Sequence, residues 1–277
     1  MDSTISTPNA FQSKFQKVWD SPCCDFIYTS LLSRAPDQTS RARLLGCATD
    51  TSGAWLGALP ISSIGLKLSD QAVRIAVGLR LGVNTCEPHV CPCGVQVDAR
   101  GLHGLSCKSS AGRHPRHSAV NDIIARALHR AQVPAIKEPP GLCREDGKRP
   151  DGVTLIPWSR GRCLTWDVTI PDTLAPSHIT GSSSLAGMAA TQAEAQKVSK
   201  YASLMRTHLF APLAFETIGA WGPQCISFLA DLGRRLVLSS GDIREFSFLR
   251  QRLSIAIQRG NSIACLGTLP EQPSIYD

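Results

Sequence analysis

Apolar residues recur at helical spacing in some stretches of this chain and alternate in others, and their order predicts the fold. Ser69 precedes DQAVRIAVGLRLG, where Val73, Ala76, Val77 and Leu79 or Leu81 share a face; a helix of about three turns starts here, capped by the serine. In HSAVNDIIARALHRAQ (117–132), Val120, Ile123, Ile124, Ala127 and Leu128 follow the i, i+3, i+4, i+7, i+8 rule of a one-sided helix. VPAIKEP (133–139) and DGVTLIPW (151–158) read as short strands. SRG (159–161) reads as a turn, and RCLTWDVTI (162–170) as a strand alternating Leu164, Trp166, Val168 and Ile170. GSSS (181–184) marks a linker. A long helix is expected over 185–210, a fourth strand over 208–221, and two closing helices over about 223–238 and 242–259. From residue 117 the order is thus α-β-β-β-α-β with a hairpin inside it. The expected class is α/β (α+β), a mixed sheet flanked by helices. Residues 1–53 read as short helices without a clear core, and GAWLGALP (53–60) as an apolar turn ended by proline.

Composition narrows the classes. The chain has 277 residues, enough for one large domain or two small ones. Hydrophobic residues make up 43% and charged residues 18%, which argues against global disorder. No apolar run approaches the roughly 18–20 residues that span a bilayer, so no membrane partner is expected. The N-terminal MDSTISTPNAFQSKFQKVW lacks an apolar secretory core, and an intracellular location is expected. The net charge is +7, and residues 108–149, with nine basic and four acidic side chains, hold +5 of it. That concentration suits a polyanion as well as it suits a solvated face.

The chain has eleven cysteines, an odd number, in a sequence without an export signal. Most are scattered and read as buried or incidental thiols. Cys86, Cys91, Cys93 and Cys107 instead cluster with His89 and His103. The spacing Cys91-x-Cys93-x9-His103-x3-Cys107, bent by Gly94, Gly101 and Gly104, suits a tetrahedral zinc whose binding would fold a short loop. The Cys-x-Cys bite is tight, so Cys86 or His89 could replace one ligand; a Cys-rich loop without metal is the bland alternative.

A second set of residues could carry chemistry. If 159–161 closes a hairpin, Asp151 and Asp167 come to one end of the sheet on adjacent strands, about 5 Å apart. Two such carboxylates suit a magnesium ion, and Glu138, at the end of the first strand, could add a ligand. Glu194, Lys197, Lys200 and Tyr201 share a helix face. A lysine there could neutralise a scissile phosphate; as ordinary surface lysines, Lys197 and Lys200 would simply pair with Glu194. Asp172, Asp146 and Glu145 read as turn or surface acids. No phosphate loop, dinucleotide fingerprint or nucleophile elbow is present.

Taken in order, these motifs resemble one family. Arg149-Pro150-Asp151 followed by Asp167, after a Glu-bearing strand and before a lysine-bearing helix, is similar to the PD-(D/E)xK nuclease core. With GAWLGALP, the Cys91, Cys93, His103, Cys107 knuckle and the basic RHPRHSAVND (113–122), residues 53–220 resemble the C-terminal region of site-targeting non-LTR retrotransposon proteins that carry a restriction-like endonuclease. In GAWLGALP, Leu56-Gly57 stands where that family usually has Ile-Asn, and Thr169 occupies the position of the family lysine two residues after the second acid.

The resemblance implies a helical linker or remnant region over 1–85, a CCHC zinc knuckle over 86–112 and a restriction-endonuclease-like domain over 113–277. It implies a metal-dependent endonuclease that nicks DNA and leaves a 3′-hydroxyl to prime reverse transcription, working in the nucleus. Asp151 and Asp167 would hold Mg²⁺, with Glu138 as an accessory and Lys197 or Lys200 as the motif lysine. Cys91, Cys93, His103 and Cys107 would hold structural Zn²⁺. Arg113, Arg116, His117, Arg126, Arg130 and Arg149 would grip DNA, with element RNA a second partner. No Tyr-x-Asp-Asp-like motif is present, so the reverse transcriptase is missing and the chain reads as a fragment, a degenerate copy or a stand-alone piece. The alternative function is a catalytically dead zinc-knuckle module that binds nucleic acid.

Overall fold

The computed structural model describes residues 15–110, 112–143 and 147–270. The expectations for residues 1–14 and for Glu145 and Asp146 fall outside them. In chain order the regular elements are α1 (Phe15–Ser33), α2 (Gln38–Cys47), α3 (Asp70–Leu81), β1 (His89–Val90), β2 (Gln96–Val97), α4 (His103–Ser106), α5 (Arg113–Arg130), β3 (Ala135–Lys137), β4 (Gly152–Thr154), β5 (Leu164–Thr169), α6 (Ile179–Ser182), α7 (Met188–Lys200), β6 (Leu209–Ala214), α8 (Pro223–Ser240) and α9 (Glu245–Leu266). The helix expected from Asp70 forms as α3, with the Ser69 side chain accepting from the Ala72 amide at 3.3 Å. α5 begins four residues before the periodic stretch, and α9 runs seven residues past the expected 259.

The sheet has the order β3-β4-β5-β6, antiparallel except for the parallel β5–β6 pair. The hairpin between β4 and β5 turns at 159–161, where Ser159 and Arg162 bridge. A parallel pair needs a crossover, and α6 and α7 supply it. The alternation along β5 sorts its side chains. Leu164, Trp166 and Val168 join Val120, Ile124 and Leu128 of α5, and residues of α8 and α9, in the main core. On the opposite face α7 packs Ala190 and Ala193 against Ala214 of β6. The molecule is therefore a mixed α/β protein with a four-stranded mixed sheet between helices.

Two expected elements are shorter than the pattern suggests. The helix expected over 185–210 is regular only as α7, since the buried Tyr201 ring ends it and a short turn at 204–206 leads into β6. The strand expected over 208–221 ends at Ala214, because Glu216–Gly219 forms a turn.

Glycine at 152 is a packing requirement. It lies opposite Trp166, and a Cβ there would sit 2.1 Å from the indole. The Trp166 ring is fully buried and its Nε1 donates to Asn121 Oδ1 at 2.8 Å. This contact ties α5, β4 and β5 together beside Asp151. The upstream segments dock on α9. Trp55 of the GAWLGALP turn is buried with Leu66, Leu68 and Ile255, and Arg259 donates to the carbonyls of Gly65 and Lys67. No helix among the described residues is long and apolar enough to cross a membrane.

Candidate active site and metal centre

The cysteine cluster is built from a ribbon and one helical turn. β1 and β2 pair antiparallel. Between them Gly94, in the left-handed region at φ 86°, lets the chain reverse while its amide donates to Cys91 O at 2.7 Å. α4 then carries His103, with Cys107 just past its end. One ligand atom from each of Cys91, Cys93, His103 and Cys107 lies within 4.8 Å of all the others. Cys91 and Cys107 sulfurs are 3.9 Å apart, and Cys93 Sγ is 3.2 Å from His103 Nε2. Ligands about 2.3 Å from a tetrahedral ion would have sulfurs about 3.8 Å apart, so this donor set is compatible with zinc.

The two inner thiols are unlike. The Val95 amide is the main influence bringing exposed Cys93 down to about 7, whereas desolvation pushes buried Cys91 up to about 11. The two alternative ligands are engaged elsewhere. Cys86 Sγ contacts the Asp98 carbonyl, and His89 bridges Glu87 O and Thr268 Oγ1.

The acidic centre lies at the C-terminal end of β5 and is assembled from four elements. Continuing the β4–β5 register by one residue sets Asp151 opposite Asp167 on one face. Asp151 Oδ2 accepts from the Val168 amide at 2.6 Å. His117, near the start of α5, places Nε2 at 3.1 Å from both Asp151 Oδ2 and the Val168 carbonyl. The hydrogen bond to Asp151 is the largest influence raising the His117 pKa, against the opposing effect of burial. Asp167 is 4% exposed and receives a hydrogen bond from Lys197 Nζ at 2.5 Å. Each acid is thus met by a basic side chain from a different helix, His117 of α5 on one side and Lys197 of α7 on the other.

The remaining expected residues are sorted by this geometry. Lys197 pairs with Asp167, and the Lys200 ammonium stands over the Tyr201 ring at 5.2 Å from its centroid. Glu138 does not join the centre. The chain turns at Glu138 in the left-handed region, φ 49°, and its carboxylate pairs with Arg149 near the surface. Among the described residues the cysteine cluster is the one group of three or more His, Cys, Asp or Glu side chains placed to hold a metal, so Glu138, Asp151 and Asp167 do not form a three-carboxylate set.

Glu194 is not the partner of Lys197. It is buried and accepts from the Gln224 and Cys225 amides at 3.0 and 2.8 Å, capping the N-terminus of α8. Arg116 is 3% exposed and donates to Asn261 Oδ1 at 2.7 Å, so no phosphate reaches it; Arg113, Arg126 and Arg130 are exposed. Asp172, expected at the surface, is buried and accepts from Thr217 Oγ1 at 2.8 Å.

Sequence reasoning missed two parts of the centre. The resemblance places His117 in the DNA grip, yet it touches Asp151; its place one turn before Val120 on the buried face of α5 is the available signal. The Tyr201 hydroxyl donates to Arg149 O at 2.9 Å and so holds the segment that delivers Asp151. No protein-family model matches the chain and no curated protein matches it.

Proposed function

We propose that this protein is a magnesium-dependent endonuclease that nicks DNA by phosphodiester hydrolysis and leaves a 3′-hydroxyl. One observation carries the reading. The Asp151 carboxylate and the Val168 carbonyl converge on a single point 3.1 Å from each, where the His117 nitrogen now sits, and Asp167 with Lys197 is on the adjacent residue. A pair of hard oxygens aimed at one cationic position fits a divalent ion, and the second carboxylate is next to it in the chain. Asp151, Asp167 and the Val168 carbonyl would hold the ion. When bound, Mg²⁺ supplies a Lewis acid that acidifies water and offsets phosphate charge. Lys197, oriented by Asp167, sets an ammonium where negative charge develops on the phosphate. His117 holds Asp151 turned toward the strand end while its nitrogen fills that point, and it would yield the point to the ion and offer a proton-carrying nitrogen beside it.

The helix-flanked mixed sheet resembles a restriction-like nuclease, and the Cys91, Cys93, His103, Cys107 knuckle fits a structural zinc of a retrotransposon-derived protein. Arg113, at the start of α5 near His117, supplies exposed positive charge for DNA, and a nuclear location goes with such a substrate. A second reading is favoured by Thr169, which stands where the resembled family has its lysine, and by the Glu138–Arg149 pair. On that reading the fold binds nucleic acid without cutting it.

Conversion of supercoiled plasmid to open circle with Mg²⁺ tests the proposal. Wild type should nick, and Asp167→Asn should be about a hundredfold slower or worse. Equal rates would overturn the nuclease reading and leave the binding one, if affinity persists and falls with salt.

A further inference from the structure

The arginines of α5 do not form one DNA-facing stripe. Arg126 lies nine residues after His117, about half a turn round the helix and about 14 Å along it, so it faces away from the acidic centre. On that far side α5 and α9 enclose a cavity of about 310 Å³. Four guanidiniums line it: Arg126 and Arg130 from α5, Arg252 and Arg259 from α9. No acid lines it. Glu245 pairs with Arg130 nearby, and Arg259 is fastened to the Gly65 and Lys67 carbonyls. Arg126 and Arg252 have no hydrogen-bond or ion-pair partner among the described residues. Arg252 is also held below its ordinary pKa, first by burial and then by Arg130, with Glu245 opposing and Arg126 adding to the effect. Like charges are gathered here without enough negative charge to offset them. The floor is apolar, with Ile64, Ile123 and Leu249 among its side chains.

We propose that this cavity is a second nucleic-acid site, separate from the acidic centre, which takes one nucleotide of a single strand. The phosphate sits between Arg126 and Arg252, and the base lies on the apolar floor beneath a guanidinium plane. Several features favour that ligand. The volume is at the small end of ligand pockets, about the size of one nucleotide. Guanidiniums both pair with phosphate and stack on planar rings. A duplex keeps its bases stacked inward and cannot lay one on the apolar floor, whereas a single strand can. The site does not depend on the cleavage chemistry, since none of its residues belongs to the acidic centre.

Fluorescence anisotropy with the full chain and a labelled single-stranded thymidine ten-mer, without added magnesium, tests the proposal. The Arg126→Ala/Arg252→Ala double variant should weaken binding about tenfold and lower the salt slope by about 0.7, the share of one phosphate on a single strand. Arg252→Lys should keep most of the affinity. Ile64→Glu, at an exposed position that does not threaten the core, should also weaken it about tenfold. Asp151→Ala should bind as wild type, which separates this site from the nuclease centre. Thymidine monophosphate should displace the ten-mer at lower concentration than inorganic phosphate. A double variant within twofold of wild type would overturn the proposal. So would equal competition by inorganic phosphate, equal loss with a duplex, or displacement of the strand by polyglutamate or phosphatidate vesicles as readily as by the nucleotide.

Discussion

The cysteine cluster and the acidic centre are two ways of gathering polar groups. The four ligands of the cluster fall within 17 residues, and a two-stranded ribbon with one helical turn brings their atoms within 4.8 Å of one another. The acidic centre draws His117, Asp151, Asp167 and Lys197 from 81 residues of chain, and no local spacing brings them together. The cluster leaves its sulfurs next to one another, a costly arrangement that an ion would relieve. The centre has each acid met by a basic side chain of its own fold. A local site can therefore gather the donors for one ion from a single short loop, whereas a tertiary site draws its counter-charges from distant elements.

Removal of the cluster should give the largest effect. Cys107→Ser is expected to lower bound zinc in native mass spectrometry and to cost on the order of 3 kcal/mol or more in urea unfolding, because metal binding folds so short a loop. Retained stability with no metal bound would make the cluster an incidental group of thiols. The acidic centre should respond less. Lys197→Met strips the cation from a buried carboxylate and should cost about 3 kcal/mol in the same unfolding assay. A cost below about 1 kcal/mol would contradict the buried pairing of Lys197 with Asp167.

Next, Gly152→Ala drives a methyl into the Trp166 ring and should cost about 2 kcal/mol, while leaving zinc content unchanged. Loss of zinc in that variant would join the two regions more tightly than their packing implies. The smallest expected change is Glu194→Gln, about 1 kcal/mol, because one of two capping acceptors is lost. Burial raises the Glu194 pKa above its ordinary 4.5. The folded state then holds the proton more tightly than the unfolded one. The penalty is present in full above the raised value and disappears below 4.5, so this group makes stability rise as pH falls through that window. Glu194→Gln should flatten that part of the stability profile, read by thermal melts; an unchanged slope would contradict the assignment.

Legibility followed the range of the interactions. Ser69, the apolar face of α5 and the alternation of β5 are set by neighbours a few residues away, so α3, α5 and β5 were readable. So was the 159–161 turn. The cysteine set was readable for the same reason, although the choice against Cys86 and His89 needed the Asp98 and Thr268 contacts. The sharing of an end by Asp151 and Asp167 followed from the hairpin. What could not be read depends on distant partners. Glu194 looked like a surface mate of Lys197 because both lie on α7, but α8 begins beside it and its orphan amides claim the carboxylate. Arg116 looked like part of a basic stripe because the pattern does not show that α9 covers it. Arg252 and Arg259 carry no motif, and only the packing of α9 on α5 gives them a role. The expected end of α7 failed because the buried Tyr201 ring fixes the last turn, a tertiary constraint.

Single-turnover nicking of a labelled DNA duplex with Mg²⁺, compared across Asp151→Ala, Lys197→Met and Lys200→Met, tests the acidic centre most directly. The account predicts loss of about two orders of magnitude or more for Asp151→Ala and Lys197→Met, and a rate within about threefold of wild type for Lys200→Met. A wild-type rate in Asp151→Ala, or equal losses in the two lysine variants, would contradict it.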